Sequence, residues 1–247
     1  MQYPWNWKIF WEPSVDGVNT YWQTLLNGLG WTLTVALSAW VIALVVGALV
    51  GVIRTTPVGW AVKLGNAWVE LFRNIPLLVQ MFLWYFVVPE LLPKGVGDAI
   101  KAWPQANIVA AIVCLGLFTS ARVAEQVRAG IGSLPRGQKM AGTALGLTLP
   151  QTYRYVLLPM AGRIIIPPLT SEFLNIIKNS SVALVISVVE LTGAARSMQE
   201  NSFQVFEAFT AATVLYLVTN GVIVLLMRFI EVRTRVPGMI AAGGGGH

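Results

Sequence analysis

QKMAGTALGLTLPQTYRYVLLP, residues 138–159, is short, amphipathic and set between long apolar stretches. Ala141, Gly142 and Ala144 lead to Gly146 and Leu147, and after nine further residues come Val156, Leu158 and Pro159. Small side chains let another backbone approach closely, and a glycine at 146 permits a sharp turn. Pro150 suits the start of a second helical piece, along which Tyr153, Val156 and Leu157 make an apolar stripe. Two readings compete. Either the segment seats in a groove of another protein, through Ala141, Gly142, Gly146, Leu147 and Pro159, or it is an amphipathic helix lying on lipid.

Composition places the flanking stretches in a membrane. Of 247 residues, 55% are hydrophobic and 11% charged, and the mean hydropathy is +0.66. A soluble domain carries about 25% charged residues. Charge-free runs such as Leu33 to Val52 and Ala211 to Met227 are long enough to cross roughly 30 Å of hydrocarbon. Lys and Arg number 17 against 11 Asp and Glu, a net charge of +6. The excess lies in loops between apolar runs, so lipid and not nucleic acid is the expected partner. Cys114 and His247 are the single cysteine and histidine, so neither an internal disulfide nor a metal site is expected.

Five crossings are predicted, near 26–53, 66–89, 107–130, 162–190 and 206–230, an all-α integral membrane fold. One set of loops and span ends carries ten basic residues: Arg54, Lys63, Arg128, Arg136, Lys139, Arg154, Arg163, Arg228, Arg233 and Arg235. The other carries four, Lys8, Lys94, Lys101 and Arg196. Cytoplasmic loops hold the excess, which puts residues 138–159 and the C-terminus inside and the N-terminus outside. Residues 1–25, with Tyr3, Trp5, Trp7 and Trp11, read as an extracytoplasmic interfacial segment. The transmembrane body is 26–232, and 233–247 is a cytoplasmic tail closing on a glycine run. The fourth span contains Pro167-Pro168 and the polar group Lys178-Asn179-Ser180-Ser181. It is expected to break or kink there and to wall a wet cavity.

The 138–159 stretch resembles the EAA loop of ATP-binding-cassette importer permeases: Glu-Ala-Ala, three residues, Gly, nine residues, Ile, one residue, Leu-Pro. Ala141, Gly146, Leu158 and Pro159 fall in register, with Val156 in the Ile place. Met140 replaces the Glu and Gly142 the second Ala. Glu70, Arg73, Pro76 and Gln80, then Glu125, Arg128, Gly130 and Pro135, resemble further motifs of the polar amino-acid branch, closest to glutamate/aspartate importers. The likeness covers about residues 22 to 232. It implies a five-helix type I permease in a bacterial inner membrane, with residues 135–160 as a coupling-helix loop. It also implies partners: a second permease subunit as heterodimer or homodimer, two ATPase subunits, an extracytoplasmic substrate-binding protein and an amino-acid substrate. ATP and Mg would reside on the ATPase, with no cofactor on this chain.

Ionisable groups at membrane depth are functional candidates because burial is costly unless they are paired or hydrated. Glu70 with Arg73, and Glu125 with Arg128, are three apart and read as structural ion pairs near the cytoplasmic edge. Arg122 lies deeper, on the face of Thr119 and Gln126. Its guanidinium can fork onto a carboxylate, which makes it the candidate reader of an acidic side chain, against a structural pairing with Glu125. Thr170, Ser171, Glu172, Asn175 and Lys178 make a second polar group. Thr170, Ser171 and Asn175 join Arg122 and Thr119 as candidate substrate residues. No G-x-x-x-x-G-K-[ST] loop or catalytic triad occurs. The reading is a non-enzymatic permease for glutamate, aspartate or their amides. The rivals are a self-sufficient secondary transporter or channel, a membrane-embedded enzyme, and the same permease with another polar amino acid as cargo.

Overall fold

A computed structural model describes residues 3–234, so all of the expected tail except Arg233 and Thr234 lies outside the described residues. A 3-10 turn, Trp7–Trp11, precedes α1 (Tyr21–Ile53). Then follow α2 (Gly59–Asn74), α3 (Leu77–Phe82), α4 (Val88–Leu91), α5 (Lys94–Ala102) and α6 (Ala106–Gly132). The cytoplasmic-loop candidate holds α7 (Arg136–Ala144) and α8 (Leu149–Thr152), and leads into α9 (Leu158–Asn179). A 3-10 stretch, Ser180–Ile186, joins α9 to α10 (Leu191–Ser202), and α11 (Val205–Thr234) ends the described chain.

Three helices, α1, α6 and α11, are each long and apolar enough to cross a membrane. The number is up to five if each of two bent pairs is one span: Gly59–Asn74 with Leu77–Leu91, at 101°, and Leu149–Ile186 with Leu191–Ser202, at 50°. Five is the number of crossings expected, although two are broken. α1 starts at Tyr21, ahead of the predicted 26, because Thr20 caps it: Thr20 Oγ1 accepts from Gln23 N–H at 3.3 Å, and Gln23 Oε1 accepts from Thr20 N–H at 2.9 Å.

The breaks depart from expectation, and proline chemistry explains where. Pro76 forces Ile75 into extended backbone, with φ −98° and ψ 127°, so the second span bends by a right angle inside the predicted 66–89 run. Gln80 serves the exposed end of α2. Its Nε2 donates to the carbonyls of Phe72 at 3.0 Å and Ile75 at 2.9 Å. Pro89 and Pro159 are instead accommodated by single π turns, Leu83–Val87 and Tyr153–Leu157. The N–H groups of Val88 and Leu158 reach back to the carbonyls of Leu83 and Tyr153, which spares the carbonyl that a proline ring would crowd. Pro167 and Pro168 do not end α9. Pro167 and Arg163, whose carbonyl its ring crowds, both lie on the exposed side. Regular α-helix stops only at Ser180. There Ser180 Oγ and Ser181 Oγ donate to the carbonyls of Ile177 and Lys178, each at 2.7 Å, competing with backbone donors.

The core is a seam between α1 and α6. Thr32, Ala36, Ala39, Ala43, Gly47 and Gly51 recur every three or four residues and are all buried. A Cβ on Gly47 would stand 2.6 Å from Val123 Cβ and 2.7 Å from the Ser120 carbonyl. One on Gly51 would stand 2.6 Å from Val127 Cβ. Lipid is as apolar as the side chains, so helices in a membrane associate through such close backbone approach. At one end of the molecule Glu190, fully buried, caps α10 by accepting from the N–H groups of Thr192 at 3.0 Å and Gly193 at 2.9 Å, and also from Tyr216 Oη at 2.8 Å. Nearer the other end, Gly130 of α6 leaves room for Ile165 of α9.

Candidate functional site: a charged cavity and a coupling segment

A cavity of about 510 Å³ opens among α2, α6 and α9, lined by Phe72, Arg73, Phe118, Arg122, Glu125, Gln126 and Glu172. Phe72 and Arg73 reach it because the chain turns sharply just after them, at Pro76. α6 supplies the wall opposite its α1 seam, since Phe118, Arg122, Glu125 and Gln126 follow helical spacing. α9 supplies Glu172.

Glu125 is the hub of the ionic contacts. Its Oε1 accepts from Arg54 Nη2 at 2.9 Å and Arg73 Nη1 at 3.4 Å, and its Oε2 accepts from Arg128 Nη2 at 3.0 Å. Arg54 also donates from Nε to Asn66 Oδ1 at 2.7 Å. The Glu125–Arg128 pair therefore forms. The Glu70–Arg73 pair does not: Glu70 is exposed, and Arg73 turns to Glu125, the carboxylate already less hydrated. Arg54 is a participant that sequence reasoning placed only as a loop charge. Its partner is 71 residues away, and no local spacing signals it.

Arg122 stays clear of Glu125. Its Nη1 stands 3.8 Å from Glu172 Oε2, and its guanidinium lies 5.3 Å from the centre of the Phe118 ring. The Arg122 side chain is 45% exposed and that of Glu172 10%. At 3.8 Å the pair attracts electrostatically but makes no hydrogen bond, and Glu172 Oε2 is buried without a hydrogen-bond partner.

The other sequence candidates lie elsewhere. Thr119 is 2% exposed and does not line the cavity. Thr170 Oγ1 donates to Glu231 Oε1 of α11 at 3.1 Å. Ser171 is exposed and Asn175 half-buried, and neither reaches the cavity. Successive helical residues diverge by about 100°, so the Ser171–Asn175–Lys178 stripe and Glu172 point different ways. Phe118 and Phe72 carried no signal, because aromatic residues in an apolar run read as packing.

The coupling-loop candidate is built to be rigid. α7 is closed off by Gly146 two residues beyond its end, whose φ of +73° suits glycine, and Leu147 N–H reaches back to the Gly142 carbonyl at 3.1 Å, closing a Schellman turn. Gln151 Oε1 then accepts from Thr148 N–H at 2.8 Å to start the next helix. Gly142 is spent within the chain. A Cβ there would stand 2.9 Å from Thr152 Cγ2, so its smallness serves the fold of the loop and not an outer surface, a correction to the sequence reading. Ala141, Ala144, Gly146 and Pro159 are exposed and Leu147 half-buried. Met140, at 69%, and Leu145, at 78%, add exposed apolar surface. Tyr153 Oη donates to the Thr55 carbonyl at 2.8 Å and tethers the loop to the end of α1.

Broken membrane-spanning helices, a charged cavity between them and an exposed loop are parts that a membrane transport component can use. The chain belongs to the binding-protein-dependent transport system inner membrane components, a family whose pattern matches residues 43–236. It is 48% identical over 241 residues to the glutamate/aspartate import permease protein GltJ of Escherichia coli K12, covering 96% of this chain and 98% of the relative. The glutamine transport system permease protein GlnP of the same organism is 32% identical over 232 residues, covering 94% and 98%. Among solved structures, an amino acid ABC transporter crystallised with histidines superposes with a TM-score of 0.72 at 28% identity, over 86% of this chain and 95% of that one. The inward-facing MetNI methionine ABC transporter shares the fold, with a TM-score of 0.70 at 22% identity, over 87% and 97%. The chain is thus an inner-membrane ABC importer permease subunit of the type I fold and not an enzyme, which sets aside the embedded-enzyme and self-sufficient transporter readings.

Proposed function

We propose that this subunit forms part of the path for an acidic amino acid, glutamate or aspartate, in an ATP-driven importer. One observation carries the reading: Arg122 stands half-exposed over the cavity, with its only ion partner among the described residues beyond hydrogen-bond reach. A guanidinium so placed offers a planar fork to a carboxylate where water is scarce. Likeness to GltJ supports the same cargo.

The remaining parts follow from the exposed surfaces. Met140, Ala141 and Ala144 of α7, with Leu145 just after it, dock on one ATPase subunit, and a second permease subunit, GltK-like in a heterodimer, brings the other. ATP and Mg sit on those ATPases, and this chain holds no cofactor. A binding protein delivers substrate from the far side, facing the N-terminal aromatic segment, while the coupling loop and the C-terminus are cytoplasmic. Closure of the ATPases moves α7, and the helices behind it rock about the cavity.

The test is substrate uptake by the complete complex in vesicles. Arg122→Gln removes a charged hydrogen bond worth about 1.5–3 kcal/mol, so glutamate and aspartate uptake falls by roughly 10- to 150-fold. Unaltered uptake of both removes the reading.

A further inference from the structure

The N-terminal segment is tied across the start of α11 by one buried acid. Glu207, in the first turn of that helix and fully buried, accepts from Tyr3 Oη at 2.6 Å and from the Asn6 N–H at 2.7 Å. The tie holds a group of rings in place. Trp5 and Trp7 stack with centres 5.5 Å apart, Tyr3 meets Phe206 edge-on at 4.6 Å, and Trp5 meets Phe206 at 5.7 Å. Trp5 and Trp7 nevertheless stay more than half exposed. Phe206 is shared with a groove of about 290 Å³ along α11, lined by Val205, Phe206, Phe209, Thr210, Thr213 and Val214. Thr213 Oγ1 donates to the Phe209 carbonyl at 2.7 Å, so that hydroxyl is spent on its own helix.

The groove has the depth of one leaflet. Residues 208–227 contain no Asp, Glu, Lys or Arg, and at 1.5 Å per residue they cover about 30 Å, the thickness of the hydrocarbon layer. The groove lies along the first half of that run. The rings sit at its edge, the headgroup level where Trp and Tyr gather. Further along, the same helix continues as an exposed apolar face through Leu217, Val218, Leu225 and Leu226, so the groove opens onto the surface that α11 turns to lipid. We propose that the groove and the stacked tryptophans bind one phospholipid of the leaflet on the N-terminal side, with an acyl chain along residues 206–214 and the headgroup against Trp5 and Trp7. Lipid tails are as apolar as the helix, so burial alone retains no particular molecule. Residence comes from packing against the groove walls and from the rings. Indole N–H groups donate to phosphate or ester oxygens, and indole faces attract an ammonium headgroup. The site depends on α11 being a membrane span and is independent of the charged cavity.

Photolabelling tests it in the complete importer complex, reconstituted in nanodiscs with phosphatidylethanolamine that carries a diazirine midway along one acyl chain. Adducts are mapped by mass spectrometry on two surfaces at one depth. One is the groove. The other is the exposed side of α1 at Leu26, Trp31 and Leu37, level with it because Leu25 packs in one cluster with Ala208 and Ala212. The groove is expected to be labelled several-fold more heavily than the α1 side. Thr210→Trp fills the groove from an exposed position and is expected to remove that excess, with α1 labelled as before. Where that complex is not recovered, Thr210→Leu makes the same comparison with a shallower groove. Replacing both tryptophans, Trp5→Ala with Trp7→Ala, leaves the groove open and is expected to lower the excess as well. Equal labelling of the two surfaces overturns the proposal, since the lipid is then ordinary solvent. So does a groove without adducts, which gives that face to a protein neighbour, and so does an excess that survives either change.

Discussion

The two sides of α6 obey opposite rules. Toward α1, Gly47 and Gly51 bring backbone against Ser120, Val123 and Val127 with no room for a single added carbon. Toward α2 and α9, Phe118, Arg122, Glu125 and Gln126 front an open cavity of about 510 Å³. One helix therefore carries both a joint that cannot give and a wall that fronts open space. Rigid placement of Arg122 comes from the closed side, and its half-exposure comes from the open one.

The contrast is broken most directly at the seam. Gly47→Val would place side-chain carbon against the Ser120 carbonyl as well as Val123, and overpacking of that kind costs about 1–3 kcal/mol or more. The expected result is loss of monodisperse protein on detergent extraction, whereas Phe118→Leu on the open side extracts like the wild type. Equal recovery of the two variants erases the distinction. A smaller effect is expected at the mouth of the cavity. Glu125→Ala leaves the Arg54 side chain, 8% exposed, without its carboxylate, at about 2 kcal/mol after allowance for the exposed partners. Its thermal midpoint in detergent should fall, and adding Arg54→Ala should restore part of the loss. An additive double variant shows the two residues uncoupled. The smallest effect belongs to Tyr153→Phe, which loses the bond to the Thr55 carbonyl at about 1 kcal/mol. It should lower the midpoint by a few degrees and leave extraction untouched, while a shift as large as that of Glu125→Ala marks the tether as more than a local bond.

Much of the scaffold was legible because membrane helices announce themselves by length and loop charge. The number of spans, the coupling loop and the turn at Gly146 needed no tertiary information. The site was harder. Arg122 was found as a charge in an apolar run, but its neighbour was sought at Glu125, three residues along, and lies on α9 instead. Proximity within a helix is readable from spacing; a contact between helices 50 positions apart depends on how the seam and the Pro76 bend place them. Prolines misled in the same way. Pro76 and Pro167 look alike in sequence, yet one turns the chain by a right angle and the other sits inside α9, because Ile75 goes extended while Arg163 faces outward. Gln80 shows the reverse lesson: a glutamine in an apolar segment is explained only once the bend exposes carbonyls for it to cap.

The close contact of Ile165 with Gly130 is placed where a fulcrum would be. Glu172 lies seven residues along α9 from it, an arm of about 10 Å at 1.5 Å per residue, and the same helix runs back through the widened turn at Tyr153–Leu157 toward α7. Arg122 belongs to the other body, clamped to α1. A tilt of about 10° at this hinge swings Glu172 by roughly 2 Å relative to Arg122, using that arm. A tilt of α9 is then read at one gap between two oppositely charged side chains, 3.8 Å wide in this structure.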